Sequence, residues 1–148
     1  MTFYEELCMM LDGLTDGIPY QIANLANASA LLYEKLADLN WAGFYLLEDE
    51  KLILGPFQGK PACIEIPLGK GVCGTAAQND SVLSVEDVHS FSGHIACDEA
   101  SNSEIVLPLH KGGKVIGVLD LDSPLYGRFS NEDKEGLLRF TTLLETRI

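Results

Sequence analysis

The residues able to do chemistry are concentrated between Gly55 and Ile105. Three of the four cysteines, Cys63, Cys73 and Cys97, and two of the three histidines, His89 and His94, lie there. Two apolar runs carry acids where a plain core strand would carry none: Glu104 in SEIVLPL, and Asp120 and Asp122 in VIGVLDLDS. Thiols beside placed carboxylates point to redox or acid–base chemistry on a small substrate. A thiolate that attacks an electrophile becomes a sulfenic acid, which a second cysteine condenses into a disulfide.

Which thiol attacks is open at the level of residue types. Cys97 lies in a glycine-flanked loop, which favours exposure, and Cys63, after Pro61 and Ala62 at a strand start, suits a resolving role. Cys73 in GKGVCGTAA falls near a predicted helix N-terminus, which lowers a thiol pKa. All three also fit as small buried hydrophobes, as does Cys8 within the first helix. A zinc knuckle does not fit. In the spacing C-x9-C-x23-C no two thiols stand two to four residues apart, and only His94 lies three residues before Cys97, so no metal is expected. The same glycine-rich segment lacks the full phosphate-loop pattern.

The acids depend on strand register. Side chains alternate along a strand, so Asp120 and Asp122 share a face with Val118. A regular two-residue Gly112-Gly113 turn would pair Glu104 with Leu121 and turn Glu104 away from the aspartates. A bulge or an odd-length turn would bring all three to one face, and the functional reading requires one or the other. Crowded together, like charges raise at least one carboxyl pKa and leave a proton donor at neutral pH. Trp41 and Tyr45 share a phase and can wall such a pocket, whereas Phe44 is out of phase and belongs to the core.

The elements that must position these groups follow from periodicity. Thr2 and Glu5 form a capping box for a first helix with Phe3, Leu7, Met10, Leu11 and Leu14 as its apolar residues. Pro19 precedes a second helix whose predicted buried face is Ile22, Leu25, Ala26, Ser29, Leu32, Tyr33 and Leu36, with Asn24 on the polar side. WAGFYLL and KLILG form a hairpin across an acidic turn, followed by an irregular link over Gly55–Pro61 and a strand at Cys63–Ile66. A short helix at Val72–Gln78 and a strand at Ser81–Val85 lead into an aperiodic loop over residues 86–103, of a length that tends to be functional. EIVLPL and KVIGVLDLD form a second hairpin, and Ser130 with Asp133 caps a last helix. Two helices, antiparallel strands and a closing helix make an α+β fold with helices against a central antiparallel sheet.

Composition bounds the partners. The chain has 148 residues, 47% hydrophobic and 22% charged, as expected of one soluble domain over residues 1–148. Ten basic against 22 acidic residues give a net charge of −12, which argues against nucleic acid. No apolar window is long enough for a membrane span and no signal peptide is visible, so a cytoplasmic location is expected. There, cysteines are free, catalytic or metal-bound rather than structurally bridged.

The segments GPFQGKPAC, GKGVCGTAA, DVHSFSGHIACDEASNSEIV and VIGVLDLDS together resemble the free methionine-(R)-sulfoxide reductases, one-domain proteins of GAF fold. The resemblance covers nearly the whole chain. It implies that free methionine R-sulfoxide is the substrate, with no cofactor. It further implies that Cys97 is the nucleophile, Cys63 the resolver and Cys73 an alternative resolver, with a Cys63–Cys97 disulfide reduced by thioredoxin. Glu104, Asp120 and Asp122 would hold the substrate's ammonium and sulfoxide oxygen, and Trp41 and Tyr45 would pack on its methyl-thioether end. Homodimers are common in the family. Such an acid cluster suits a free amino acid, whose ammonium is lost in a peptide bond. Two rival expectations stand beside it: a non-catalytic GAF module that binds a small ligand, and cysteines that bind a metal or sense oxidants.

Overall fold

In the computed structural model, residues 1–95, 97 and 99–148 are described. Six strands form one antiparallel sheet: β1 (Trp41–Glu48), β2 (Lys51–Gly59), β3 (Glu65–Pro67), β4 (Leu83–Val85), β5 (Ser103–Lys111) and β6 (Lys114–Ser123). Their order is β3-β2-β1-β6-β5-β4, so the two hairpins meet along β1 and β6. Among the described residues four α-helices accompany them, α1 (Phe3–Thr15), α2 (Gln21–Lys35), α3 (Gly71–Asn79) and α4 (Asn131–Glu145), with a 3-10 turn at Val88–Ser90. This is the expected α+β arrangement of helices against a central antiparallel sheet.

The faces of the sheet carry different cores. Ala42, Phe44, Ile105, Leu107, Leu119 and Leu121 point to α1, α2 and α4 and form a hydrophobic cluster with them. Trp41, Tyr45, Val106 and Val118 point the other way and pack with Val72, Cys73, Ala76 and Ala77 of α3. Strand alternation divides the residues in this way.

Both capping boxes form, Thr2 with Glu5 and Ser130 with Asp133. The helix faces are rotated from the sequence expectation. Phe3, Met10 and Leu14 are exposed on α1, and the buried line is Tyr4, Leu7, Leu11 and Thr15. Tyr4 is buried because its ring lies against Gly136 of α4, where a Cβ would collide with it, and its hydroxyl donates to Asp133 Oδ1 at 2.6 Å. On α2, Ile22 and Tyr33 are exposed, while Asn24 is buried. The Asn24 amide donates to the carbonyls of Ile18 and Arg147, both at 2.9 Å. A buried polar group with its own partners is invisible to a hydrophobic period.

The strands also correct the linear reading. β2 continues through Gly55 and Pro56 to Gly59 instead of ending in a link. It accommodates Pro56 in a bulge, where the register to β1 shifts between Gly43 and Tyr45. β3 begins at Glu65, leaving Cys63 in the segment ahead of it.

Candidate active site

The site is made by a register slip. Gly112 and Gly113 form a two-residue turn with φ of 61° and 76°, and Lys111 pairs with Lys114. Such a turn alone would oppose Glu104 to Leu121. The register shifts between Leu109 and His110, so that Leu109 pairs with Gly117 and His110 with Val115. Ile116 is the extra residue, and Glu104 therefore pairs with Asp122 and Val106 with Asp120. The bulge required by the functional reading is present, beside a regular glycine turn. Gly117 permits it: a Cβ there would collide with the Tyr45 carbonyl of β1.

β1 completes the row. Trp41 pairs with Asp122, Gly43 with Asp120 and Tyr45 with Val118. Trp41 stacks on Tyr45 at 5.9 Å and on Phe57 at 5.2 Å between ring centroids. Gly43 lies beneath this stack, where a Cβ would collide with Phe57 and crowd the indole. The indole N–H donates to the Lys60 carbonyl at 3.1 Å, and the Tyr45 hydroxyl donates to the Cys63 carbonyl at 2.8 Å. The aromatic wall thereby anchors the segment that carries Cys63.

Trp41, Tyr45, Cys73, Cys97, Glu104, Asp120 and Asp122 line one cleft. Cys63 reaches that cleft through a disulfide to Cys97, which ties the segment before β3 to the long loop. All eight residues singled out in the sequence are thus brought together. Cys8 lies apart, half-buried against the apolar core. Within GHIACD, Ala96 and Asp98 lie outside the described residues.

His94 is an additional cleft residue to which the residue pattern assigned no role. Its Nε2 is 3.8 Å from Glu104 Oε1, and burial holds its pKa below the usual histidine value. The signal for it was its position three residues before Cys97.

Burial dominates the electrostatics. Glu104 is pushed well above the usual carboxyl range, first by desolvation and then by the charge of Asp120. Asp120 is raised to about 8 by desolvation and then by Asp122. Burial first, and the crowding expected from the sequence second, thus favour the protonated form of at least one of these acids. Cys73 contradicts the helix-end expectation. It is the third residue of α3, yet its pKa is raised well above the ordinary thiol value by burial, Asp120 and Glu104. The helix terminus is outweighed because the thiol is nearly dry and faces acids. Its Sγ contacts Glu104 Oε2 at 3.9 Å. Ligand atoms of Cys73, Glu104 and Asp120 lie within 4.8 Å of one another, a donor set able to hold a metal ion.

The model of the GAF domain family matches residues 20–148. The chain is 59% identical to the free methionine-R-sulfoxide reductase of Escherichia coli (strain K12), over 97% of this chain and 87% of that protein. It belongs to the GAF domain family, among the free methionine-R-sulfoxide reductases. A structure of fRMsr of Staphylococcus aureus in complex with substrate is 50% identical and superposes with a TM-score of 0.94, over 99% of this chain and 96% of that one. The free methionine-R-sulfoxide reductase from Neisseria meningitidis in complex with its substrate is 40% identical with a TM-score of 0.94, over 97% of this chain and 87% of that one. In this chain the acid row and the aromatic wall lie on the α3 side of the sheet. Among the described residues no helix is long and apolar enough to cross a membrane.

Proposed function

We propose that the protein reduces free L-methionine R-sulfoxide to methionine. The observation that carries this reading is the Cys63–Cys97 disulfide at the mouth of a cleft floored by Glu104, Asp120 and Asp122. Relatives bearing the reductase name over nearly the full chain support it.

In the proposed cycle the Cys97 thiolate attacks the sulfoxide sulfur. The protonated member of the Glu104–Asp120 pair gives its proton to the sulfoxide oxygen as the sulfur–oxygen bond weakens. The Sγ–sulfur bond made by the attack then breaks as the hydroxyl passes to Cys97, which becomes a sulfenic acid, and methionine leaves with the two electrons that Cys97 lost. The Cys63 thiol then attacks Cys97 Sγ, forming the disulfide and releasing water. A dithiol protein of the thioredoxin class returns both cysteines to thiols, becoming a disulfide itself. Cys63 suits the resolving role better than Cys73, whose thiol is buried and reluctant to ionise. The acid row holds the ammonium of the free amino acid, and the Trp41–Tyr45 wall packs on the methyl-thioether.

The test couples the protein to thioredoxin, thioredoxin reductase and NADPH. NADPH loss is expected with the free R epimer and not with the S epimer or a peptide-embedded sulfoxide. Cys97→Ser should lower turnover by about 10³-fold or more, as loss of a nucleophile does. No turnover by folded, reduced protein would overturn the reading.

A further inference from the structure

Cys73 is not needed as nucleophile or resolver in the cycle above, yet it faces the same acids. Its Sγ and carboxylate oxygens of Glu104 and Asp120 come within 4.8 Å of one another. The three stand on α3, β5 and β6, elements fixed by packing on both sides of the cleft. A second observation points into the same place. Asp120 is only 5% exposed, and its Oδ1 is buried with no hydrogen-bond partner among the described residues. A buried carboxyl oxygen whose lone pairs meet no partner is open to a donor or a cation. We propose that Cys73, Glu104 and Asp120 form a zinc site that overlaps the position of the substrate's ammonium.

The donor chemistry selects the ion. One sulfur and two carboxylate oxygens suit a borderline-soft cation, whereas calcium and magnesium take oxygen sets. Tetrahedral zinc places sulfur and oxygen ligands about 3.3–3.8 Å apart, so closure requires movement of about 1 Å. The fourth position of a tetrahedral ion would fall to water, since His94, although 3.8 Å from Glu104 Oε1, lies outside the three-residue donor group. Linear spacing argued against a knuckle, but it does not constrain ligands that three separate elements bring together. Zinc and the substrate would compete for the same carboxylates. The site itself does not depend on the reductase reading; only the competition does.

The experiment uses the full chain in its oxidised form, where Cys63 and Cys97 are bridged and Cys73 is the only thiol at the cleft. Zinc chloride is titrated by calorimetry, and cobalt(II) chloride by absorbance for a thiolate-to-cobalt charge-transfer band. One equivalent of metal per chain and a charge-transfer band are expected. Cys73→Ser should abolish the band and weaken zinc by about 100-fold, and Asp120→Asn, which keeps the thiol, by about tenfold. Cys8→Ser should change neither. Absence of binding, a band that survives in Cys73→Ser, or equal zinc affinity in the parent and Asp120→Asn would overturn the site. Zinc bound at the cleft without competition against substrate in the reductase assay would overturn only the overlap.

Discussion

The two faces of the sheet are built from the same strands and do opposite things. Towards α1, α2 and α4 the central strands present Phe44, Leu119, Leu121, Ile105 and Leu107, all fully buried among apolar side chains. Towards α3 the alternate positions present Tyr45, Asp120, Asp122 and Glu104. One face is a core that lowers free energy by removing apolar surface from water. The other buries carboxyls, which costs free energy unless they keep their protons or gain partners. A single strand, β6, carries both: Leu119 belongs to one face and Asp120 to the other. Stability and chemistry are therefore separable within adjacent residues.

That separation can be tested, and the largest effect belongs to the apolar face. Leu119→Ala should cost about 3–5 kcal/mol in urea unfolding, because the site cannot collapse around the cavity. Its folded fraction should retain its kcat within about twofold, since no cleft group moves. A comparable loss of kcat in this variant would mean that the faces are coupled.

On the other face, Asp120→Asn should lower kcat/KM by about 10²-fold through loss of the charged or proton-giving group. It should leave the unfolding midpoint at neutral pH unchanged or raised. A destabilised Asp120→Asn would show that the acid row contributes structure.

The pH dependence sharpens the contrast. Burial, then Asp122, raises Asp120 to about 8 in the folded protein, whereas an unfolded aspartate ionises near about 4. Its stabilising contribution is therefore complete below about pH 4 and is lost as pH rises through about 8. Urea unfolding of the parent should weaken across this window, and Asp120→Asn should show a flatter profile. In the reductase assay the same group predicts that kcat falls on the alkaline side, because the proton donor is lost.

The smallest effect lies away from both faces. His110, at the end of β5, directs its ring nitrogens to Asp80 and Glu145, each at 2.6 Å. Hydrogen bonding to Asp80 first, and to Glu145, raises its pKa. That stability is full below an unfolded histidine's value and is lost as pH rises through the folded one. The group is partly exposed, so His110→Ala should cost only about 0.5–1 kcal/mol near pH 6 and less at pH 9. Activity should be unaffected, because the contact touches neither face.

Much of this organisation was legible along the chain. Alternation in VIGVLDLD put Asp120 and Asp122 together, and capping residues placed the first and last helices where they occur. The helix faces were less legible. Apolar residues surround α1, so periodicity could not choose Tyr4 and Thr15 over Phe3 and Leu14. The thiol of Cys73 was misjudged because a helix end is visible in sequence whereas the carboxylates opposite it, 31 and 47 positions away, are not.

The residue types by themselves determined that this chain would fold as helices against an antiparallel sheet, and singled out its thiols and acids as the groups to which the proposed reaction is assigned. Those conclusions rest on local periods and propensities, which neighbouring residues settle among themselves. Only the tertiary structure decided that Glu104 faces Asp122. One unpaired residue, Ile116, inverts every side chain of β5 relative to β6, and a strand of period two gives no local sign of which register its partner will take. The same long-range pairing buried the acids, and so supplied the proton that the proposed reduction requires.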